Sequence, residues 1–410
     1  MARPDGSRVS ASLTLDEAHR QLLALVEPLP LEHRDILDCA GLFLAEPLTA
    51  RRTQPATAMS AMDGYAVRGD EPGPWRVVGE SAAGAPFSGD PDANEAVRIS
   101  TGAVMPEGTD TVLLQEDCER VGDRLSYPAG PPTAGRNVRL TGLDFVDGAA
   151  LLETGTRLGP AQLALALAAG QTDLAVRRPL KLTVIDCGDE LAAPGVPGVA
   201  HLIPASNGPM LAAMAAALPV EVTRIGPLPD RLDALAAAFE AAREADVIVT
   251  SGGASVGKHD LIRPALGAAG AEIAFWRVAI KPGKPLLVAR RAKSQGSQTI
   301  LGLPGNPASA FVTGFLFLLP LLRAALGSPS PLPRAIPARL AAPLSAGGRR
   351  MEFLRARWTD GEVTPEAEQD SGALLPLARA NALIRREIAA PAAAPGDAVQ
   401  VYLLENGGNA

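Results

Sequence analysis

The stretch that most constrains this chain is Asp246-Val-Ile-Val-Thr-Ser-Gly-Gly-Ala-Ser-Val-Gly-Lys-His-Asp260. Val247 to Val249 is a short β-branched apolar run, the pattern of a buried strand. The run breaks into Thr250-Ser251-Gly252-Gly253, and a helix pattern starts at about Asp260. A strand that ends in small residues and hands the chain to a helix start is suited to an anion. Glycines let the backbone approach, the helix presents unpaired N–H groups, and hydroxyls add donors. Asp260 sets a carboxylate at the edge of the same loop, where it caps the helix or helps hold a divalent cation. Taken alone, the loop reads equally well as a plain strand-to-helix turn.

Its surroundings repeat the pattern. Strand readings at Leu182–Asp186, Val220–Ile225, Val247–Val249, Glu272–Val278, Leu286–Ala289 and Thr299–Leu303 alternate with helix readings from Asn207 and Arg231 and after Asp260 and Pro307. Such alternation predicts an α/β domain with a central parallel sheet and helices on both faces. Ligands of open sheets sit past the carboxyl ends of the strands. Every glycine-rich or charged loop of this region falls at such an end: Cys187-Gly-Asp-Glu190, Gly226-Pro-Leu-Pro-Asp230, Ser251 to Gly257, Lys281-Pro-Gly-Lys284 and Leu303-Pro-Gly-Asn-Pro307.

The rest of the chain divides around this domain. Thr14-Leu-Asp-Glu17 is a capping box opening a helix, and Gly159-Pro160 opens another that Gly170 ends. The expected packing of these two helices makes residues 1–50 plus 148–178 one discontinuous domain. Residues 51–147, with short apolar pieces such as Trp75–Val78 and Thr111–Leu114 cut by Gly and Pro, read as an inserted β domain. Residues 179–327 form the α/β domain. Past Pro329, Pro331, Pro333 and Pro337, residues 328–410 read as a small C-terminal β domain after a stiff joint.

Composition excludes several classes. Lys plus Arg is 38 against 45 for Asp plus Glu, a net charge of -7, with no basic run interleaved with aromatics, which argues against a nucleic-acid surface. Cys39, Cys118 and Cys187 give neither a disulfide framework nor a zinc pattern and fit a reducing cytoplasm. Met1 to Ser12 reads as a frayed terminus and not a signal peptide. The most apolar stretch, Ala308 to Leu322, is interrupted by Gly314 and Pro320, so a buried helix is expected and no membrane span.

Among the candidate residues, Lys281 and Lys284 place two ammonium groups on a stiff turn, suited to phosphate or another oxyanion. Asp189 and Glu190 put carboxylates in the same mouth, and Pro304 to Pro307 form a loop that doubles as a helix start. Asp63-Gly64 and Thr101-Gly102 in the β domain read as turns. The four histidines, His19, His33, His201 and His259, show no metal-ligand spacing.

Longer motifs carry a resemblance. Ser60-Ala-Met-Asp-Gly-Tyr-Ala-Val67, Arg98-Ile-Ser-Thr-Gly-Ala103, Gly188-Asp-Glu-Leu191, Ser251 to Gly257 with Asp260, Lys281-Pro-Gly-Lys-Pro285 and Gly302-Leu-Pro-Gly-Asn-Pro307 resemble the molybdopterin molybdenumtransferase family, the MoeA proteins, to which the C-terminal domain of gephyrin also belongs. The resemblance runs from about residue 12 to 405, in order. It implies a four-domain homodimer whose active cleft lies between the α/β domain of one subunit and the β domain of the other. The implied reaction joins molybdate and adenylylated molybdopterin, with Mg²⁺, to give molybdenum cofactor and AMP. Handover to an adenylyltransferase and to molybdenum enzymes is implied as well.

Carried over by position, the family's functional acids look like Asp63, Asp144, Glu190, Asp230 and Asp260, and its lysines like Lys281 and Lys284. Asp63, Glu190, Asp230, Asp260 and both lysines are the catalytic set that this implies, with Asp63, Glu190 and Asp260 as metal ligands. Thr101, Asp144, Ser251, Gly252, Gly253, Ser255, Gly257, Pro304, Gly305, Asn306 and Pro307 are the implied substrate contacts. Cys187 stands where threonine is common in the family, and Pro376 where serine is frequent. Two alternatives remain at this stage: a molybdopterin adenylyltransferase, whose single domain resembles residues 179–327, and a gephyrin-like scaffold without chemistry.

Overall fold

Strands and helices do alternate between residues 180 and 325, but the sheet they build is mixed. The computed structural model describes residues 12–193, 195, 200–252, 261–294 and 296–404. Its central sheet has six strands: β1 (Leu180–Cys187), β2 (Val220–Leu228), β3 (Val247–Ser251), β4 (Glu272–Trp276), β5 (Leu287–Ala292) and β6 (Ser297–Leu303). They lie in the order β2-β1-β3-β6-β5-β4. The first four run parallel, whereas β5 is antiparallel to both β6 and β4. This corrects the all-parallel expectation. Only residues 293–296 join β5 to β6, too short a link for a helical crossover, so the two strands must form a hairpin.

The reversal happens twice, so β4 again points the same way as β6. One register row therefore crosses the sheet through Ile185, Thr250, Gly302, Leu287 and Trp276. The loops after β1, β2, β3, β4 and β6 all leave from the same edge, as the sequence predicts. All five residues of β3 are buried, which is why it reads as one apolar run with no alternation.

At the opposite edge a single carboxylate gathers the incoming chain. Asp246, only 6% exposed, accepts two hydrogen bonds from the Arg178 guanidinium, at 2.7 and 2.9 Å. It accepts others from Lys293 Nζ at 2.6 Å and the Lys181 amide at 2.9 Å. Burial alone raises this carboxyl's pKa, but these donors more than offset it and hold the group at about 2. The folded value is depressed, so the stability it contributes is present above the unfolded value of about 3.9 and lost as pH falls from there toward 2.

Helix α1 (Leu15–Ala24) begins at the expected capping box, with Glu17 N donating to Thr14 Oγ1 and Thr14 N to Glu17 Oε2. Its buried face, Leu15, Ala18, His19 and Leu22, packs into the core of the α/β domain with Leu180, Leu182 and Leu301. Helix α2 (Pro160–Ala168) instead packs against Ile36, Cys39 and Leu42. The two helices thus belong to different cores, contrary to their expected packing side by side. The N-terminal segment meets residues 150–177 through strands, Leu31–Asp35 on Asp173–Arg177 and Leu48–Thr49 on Ala150–Leu152.

Residues 64–126 form a second six-stranded sheet with Trp75 buried in it, and a third closes into a small barrel through pairing of Met351–Thr359 with Ala382–Arg386. Trp276 lies in the central sheet and Trp358 in the third. The third sheet also takes in Ile280–Lys281 from the loop between β4 and β5, in parallel with Met351–Glu352.

The helix after β6 runs over Pro307–Ala325, through the two residues expected to interrupt it. Its 19 residues are long and apolar enough to cross a membrane, but 89% of the apolar window is buried inside the protein, as a core helix is. Pro320 is tolerated because Gly314–Leu318 widens into a π-helical turn. Proline has no N–H to give the carbonyl four residues back, that of Leu316. His19 Nε2 donates to that oxygen instead, at 2.8 Å.

Two measurements check these contacts. Asp246→Ala leaves the Lys293 ammonium buried without a carboxylate and is expected to cost about 3–5 kcal/mol of unfolding free energy in urea titration. Burial lowers the His19 pKa, ahead of the opposing effect of its bond to Leu316. Its contribution to stability is therefore full above about pH 6.5 and is lost as pH falls toward the lower folded value. His19→Gln keeps an N–H donor and should flatten the slope of urea midpoint against pH between 5 and 7.

Candidate functional site

The cleft at the carboxyl edge is built by loops that meet at two glycines, one of which cannot carry a side chain. Gly252 has φ +93, and a Cβ there would stand 2.3 Å from the Cys187 carbonyl. A Cβ on Gly305 would lie 3.6 Å from Gly252 Cα, so the loops after β3 and β6 touch backbone to backbone. Their relative position is fixed by Asn207, the first residue of helix α3 (Asn207–Ala215). Its Nδ2 donates to Ser251 Oγ at 2.8 Å and to Gly305 O at 2.6 Å.

The cleft has a volume of about 690 Å³. Glu190, Gly252 and Pro304 to Pro307 line it, with Ile203, Pro204 and Ser206 on one side and Gly372 and Leu374 from the C-terminal region on another. Asn306 is the residue before the 307–325 helix, and its Nδ2 donates to Ser371 Oγ at 2.8 Å. Ser371 O accepts from Ala308 N at 3.0 Å. The 369–374 loop is thereby pinned over the helix start.

Among the residues proposed from sequence, the structure thus brings Glu190, Ser251, Gly252, Pro304, Gly305, Asn306 and Pro307 together. Ser251 is buried and committed to Asn207, so it shapes the cleft without lining it. Gly253, Ser255, Gly257 and Asp260 lie outside the described residues, as does His259. Asp230 sits on the neighbouring loop, where its amide donates to Asp189 Oδ1 at 3.0 Å.

Lys281 is not a free cation. Its Nζ lies 3.0 Å from Glu352 Oε1, and Glu352 is largely buried. Lys284 is exposed on the same turn, beside Pro285 in the cleft wall.

Asp63 and Thr101 form a separate pair. Asp63 Oδ1 accepts from the Thr101 amide at 2.6 Å, and that bond lowers the carboxyl's pKa. Asp144 is exposed, in a loop held by its amide on Gln54 O at 3.0 Å. No residue of 51–147 lines the cleft. Among the described residues, no three His, Cys, Asp or Glu side chains gather as a metal cage.

Two residues of the site were not marked as functional by the sequence. Asn207 was legible only as a helix start. Asp186, 7% exposed at the end of β1, accepts from the Gly208 amide, while its Oδ1 and the Asn207 Oδ1 lack hydrogen-bond partners among the described residues. Burial raises the Asp186 pKa. Cys187 is inert by the same cause: burial pushes its thiol up to about 12, and Sγ donates to Ser251 O.

Asn207→Ala tests the tie between the loops. Removing an amide that serves one buried and one part-buried acceptor is expected to cost about 1–3 kcal/mol, read as a lowered urea midpoint at unchanged m-value.

Comparison with known proteins places this architecture. Residues 13–170 match the MoeA N-terminal region (domain I and II), 183–324 the probable molybdopterin binding domain, and 337–404 the MoeA C-terminal region (domain IV). A molybdopterin molybdenumtransferase of Haemophilus influenzae is 36% identical over 315 residues, covering 76% of this chain and 77% of that one. One of Bacillus subtilis is 31% identical over 413 residues, covering 96% and 95%. The crystal structure of a molybdopterin biosynthesis MoeA protein from Pyrococcus horikosii superposes with a TM-score of 0.79 at 29% identity, covering 96% of this chain and 99% of that one. With matching models from residue 13 to 404 and relatives of this likeness, the chain belongs to the molybdopterin molybdenumtransferase family.

Proposed function

We propose that this chain performs molybdenum insertion in molybdenum cofactor biosynthesis, joining molybdate to adenylylated molybdopterin and releasing AMP. The observation that carries the reading is the cleft itself. It sets the Gly252 and Gly305 backbones, the Glu190 carboxylate and the Lys284 turn at one sheet edge, in a chain of this family. Both substrates are oxyanions. A glycine loop that lets the backbone come close, together with an unshielded ammonium, is what such anions bind. Lys281, paired with Glu352, fixes the turn to the C-terminal barrel and so aims Lys284.

Magnesium fits the described residues as an open site and not as a cage. Mg²⁺ keeps several waters and takes one or two carboxylates plus substrate phosphate. Glu190 supplies one such carboxylate at the cleft, and Asp63 and Asp260 are the other ligands proposed for it. When bound, the ion would neutralise charge on the phosphoanhydride. Asp63, whose hydrogen bond from Thr101 lowers its carboxyl pKa, belongs to a surface that does not reach the cleft of its own chain. This supports a homodimer in which Asp63 and Thr101 of one subunit complete the cleft of the other. The three unpaired cysteines agree with a cytoplasmic enzyme taking its substrate from an adenylyltransferase and passing cofactor to molybdenum enzymes.

The test is AMP release from adenylylated molybdopterin with Mg²⁺, with and without molybdate. Molybdate-dependent release with formation of active cofactor is the expected result. Tight binding without release would instead indicate a scaffold, and synthesis of the adenylylated species from ATP an adenylyltransferase. Lys284→Ala is expected to cut turnover about 100-fold at an unchanged melting temperature, in line with loss of one electrostatic contact to a developing oxyanion.

A further inference from the structure

Trp276 is the last residue of β4, in the register row that ends at the cleft edge of the sheet. Two guanidinium groups lie against its ring, Arg277 at 4.0 Å and Arg263 at 4.7 Å from the centroid. Neither arginine has a carboxylate partner among the described residues. The indole face is attractive to each, but cation–π contact does not neutralise a charge. Arg277 also adopts φ +70, a left-handed backbone that a side chain of its size rarely takes. The indole Nε1 is buried without an acceptor.

Around one indole the described residues thus place two guanidinium groups without acid partners, one of them on a left-handed backbone. Other arginines of the protein do find acids, as Arg290 finds Glu27 and Arg357 finds Glu366. Arg277 moreover closes the base of the Lys284 turn, its amide donating to Leu286 O at 2.9 Å while Val278 N donates to Lys284 O. Arg263, Arg277 and Lys284, none with an acid partner among the described residues, are thus linked through Trp276 and through the turn that Arg277 closes.

We propose that Arg263 and Arg277, held by Trp276, form a phosphate subsite at the rim of the cleft, taking a phosphate monoester or one phosphoryl group of a diphosphate-linked substrate. This rests on the functional reading above for the substrate's identity, but not for the subsite's existence. Guanidinium groups suit the task because their planar donors bind two phosphate oxygens at once. The indole acts as a positioning residue that stacks them without consuming those donors.

Isothermal titration of the whole protein with AMP and, separately, with molybdopterin tests the subsite. Arg277→Gln and Arg263→Gln are each expected to weaken one of the two titrants about tenfold, and the titrant affected tells whether the nucleotide or the pterin phosphate occupies the subsite. Trp276→Leu should weaken the same titrant, whereas Arg290→Gln, which removes an exposed ion pair, should change neither. If both arginine variants bind both titrants within twofold of the parent while melting normally, the subsite is overturned. Molybdate-dependent AMP release, measured on the parent protein alone, stands or falls independently of that result.

Discussion

The central sheet depends on one buried carboxylate. Asp246 stands at the entry to β3, the strand between β1 and β6, and its oxygens bind the arginine of the incoming linker, an amide at the start of β1 and the lysine just after β5. Three segments far apart in sequence are thereby brought to one point at the lower edge. With the strands' starts fixed, their carboxyl ends arrive in register at the upper edge, and the cleft is the sum of where they stop. A buried charge is expensive unless every lone pair is used. Here the donors use them, and the carboxyl stays ionised far below neutral pH.

The upper edge solves a different problem, that of bringing polypeptide close to an anion. Two glycine loops touch, and Asn207 holds them there with a single amide. The C-terminal barrel participates from both sides: Ser371 clasps Asn306, and Glu352 clasps Lys281. The barrel is thus part of the site's frame, which gives a physical reason for a cofactor-binding α/β domain to carry it.

How much of this was legible beforehand follows from which contacts are local. Strand ends, the capping box of α1 and the turn glycines are matters of neighbouring residues, and they appear where the sequence places them. The direction of β5 was also written locally, in the short Lys293–Gly296 link, but alternation of elements masked it. The partners of Lys281 and Asn207 were beyond reach, since Glu352 lies 71 residues from Lys281 and Gly305 lies 98 from Asn207. The separation of α1 from α2 was equally hidden. Both are short helices, and the carbonyl left free by Pro320, which His19 of α1 reaches across 297 residues, is one tie to the other core that no local pattern shows.

The scarcity of aromatic residues has a last consequence. The chain has three tryptophans, and each lies in a different sheet: Trp75 sealed in the inserted one, Trp276 between arginines in the central one, and Trp358 in the barrel. Their emission is therefore the sum of three spatially separate reporters, one per sheet. Replacing them two at a time gives three variants, each with a single optical label, so that melting of the inserted sheet, the α/β sheet and the barrel is followed separately without added dye.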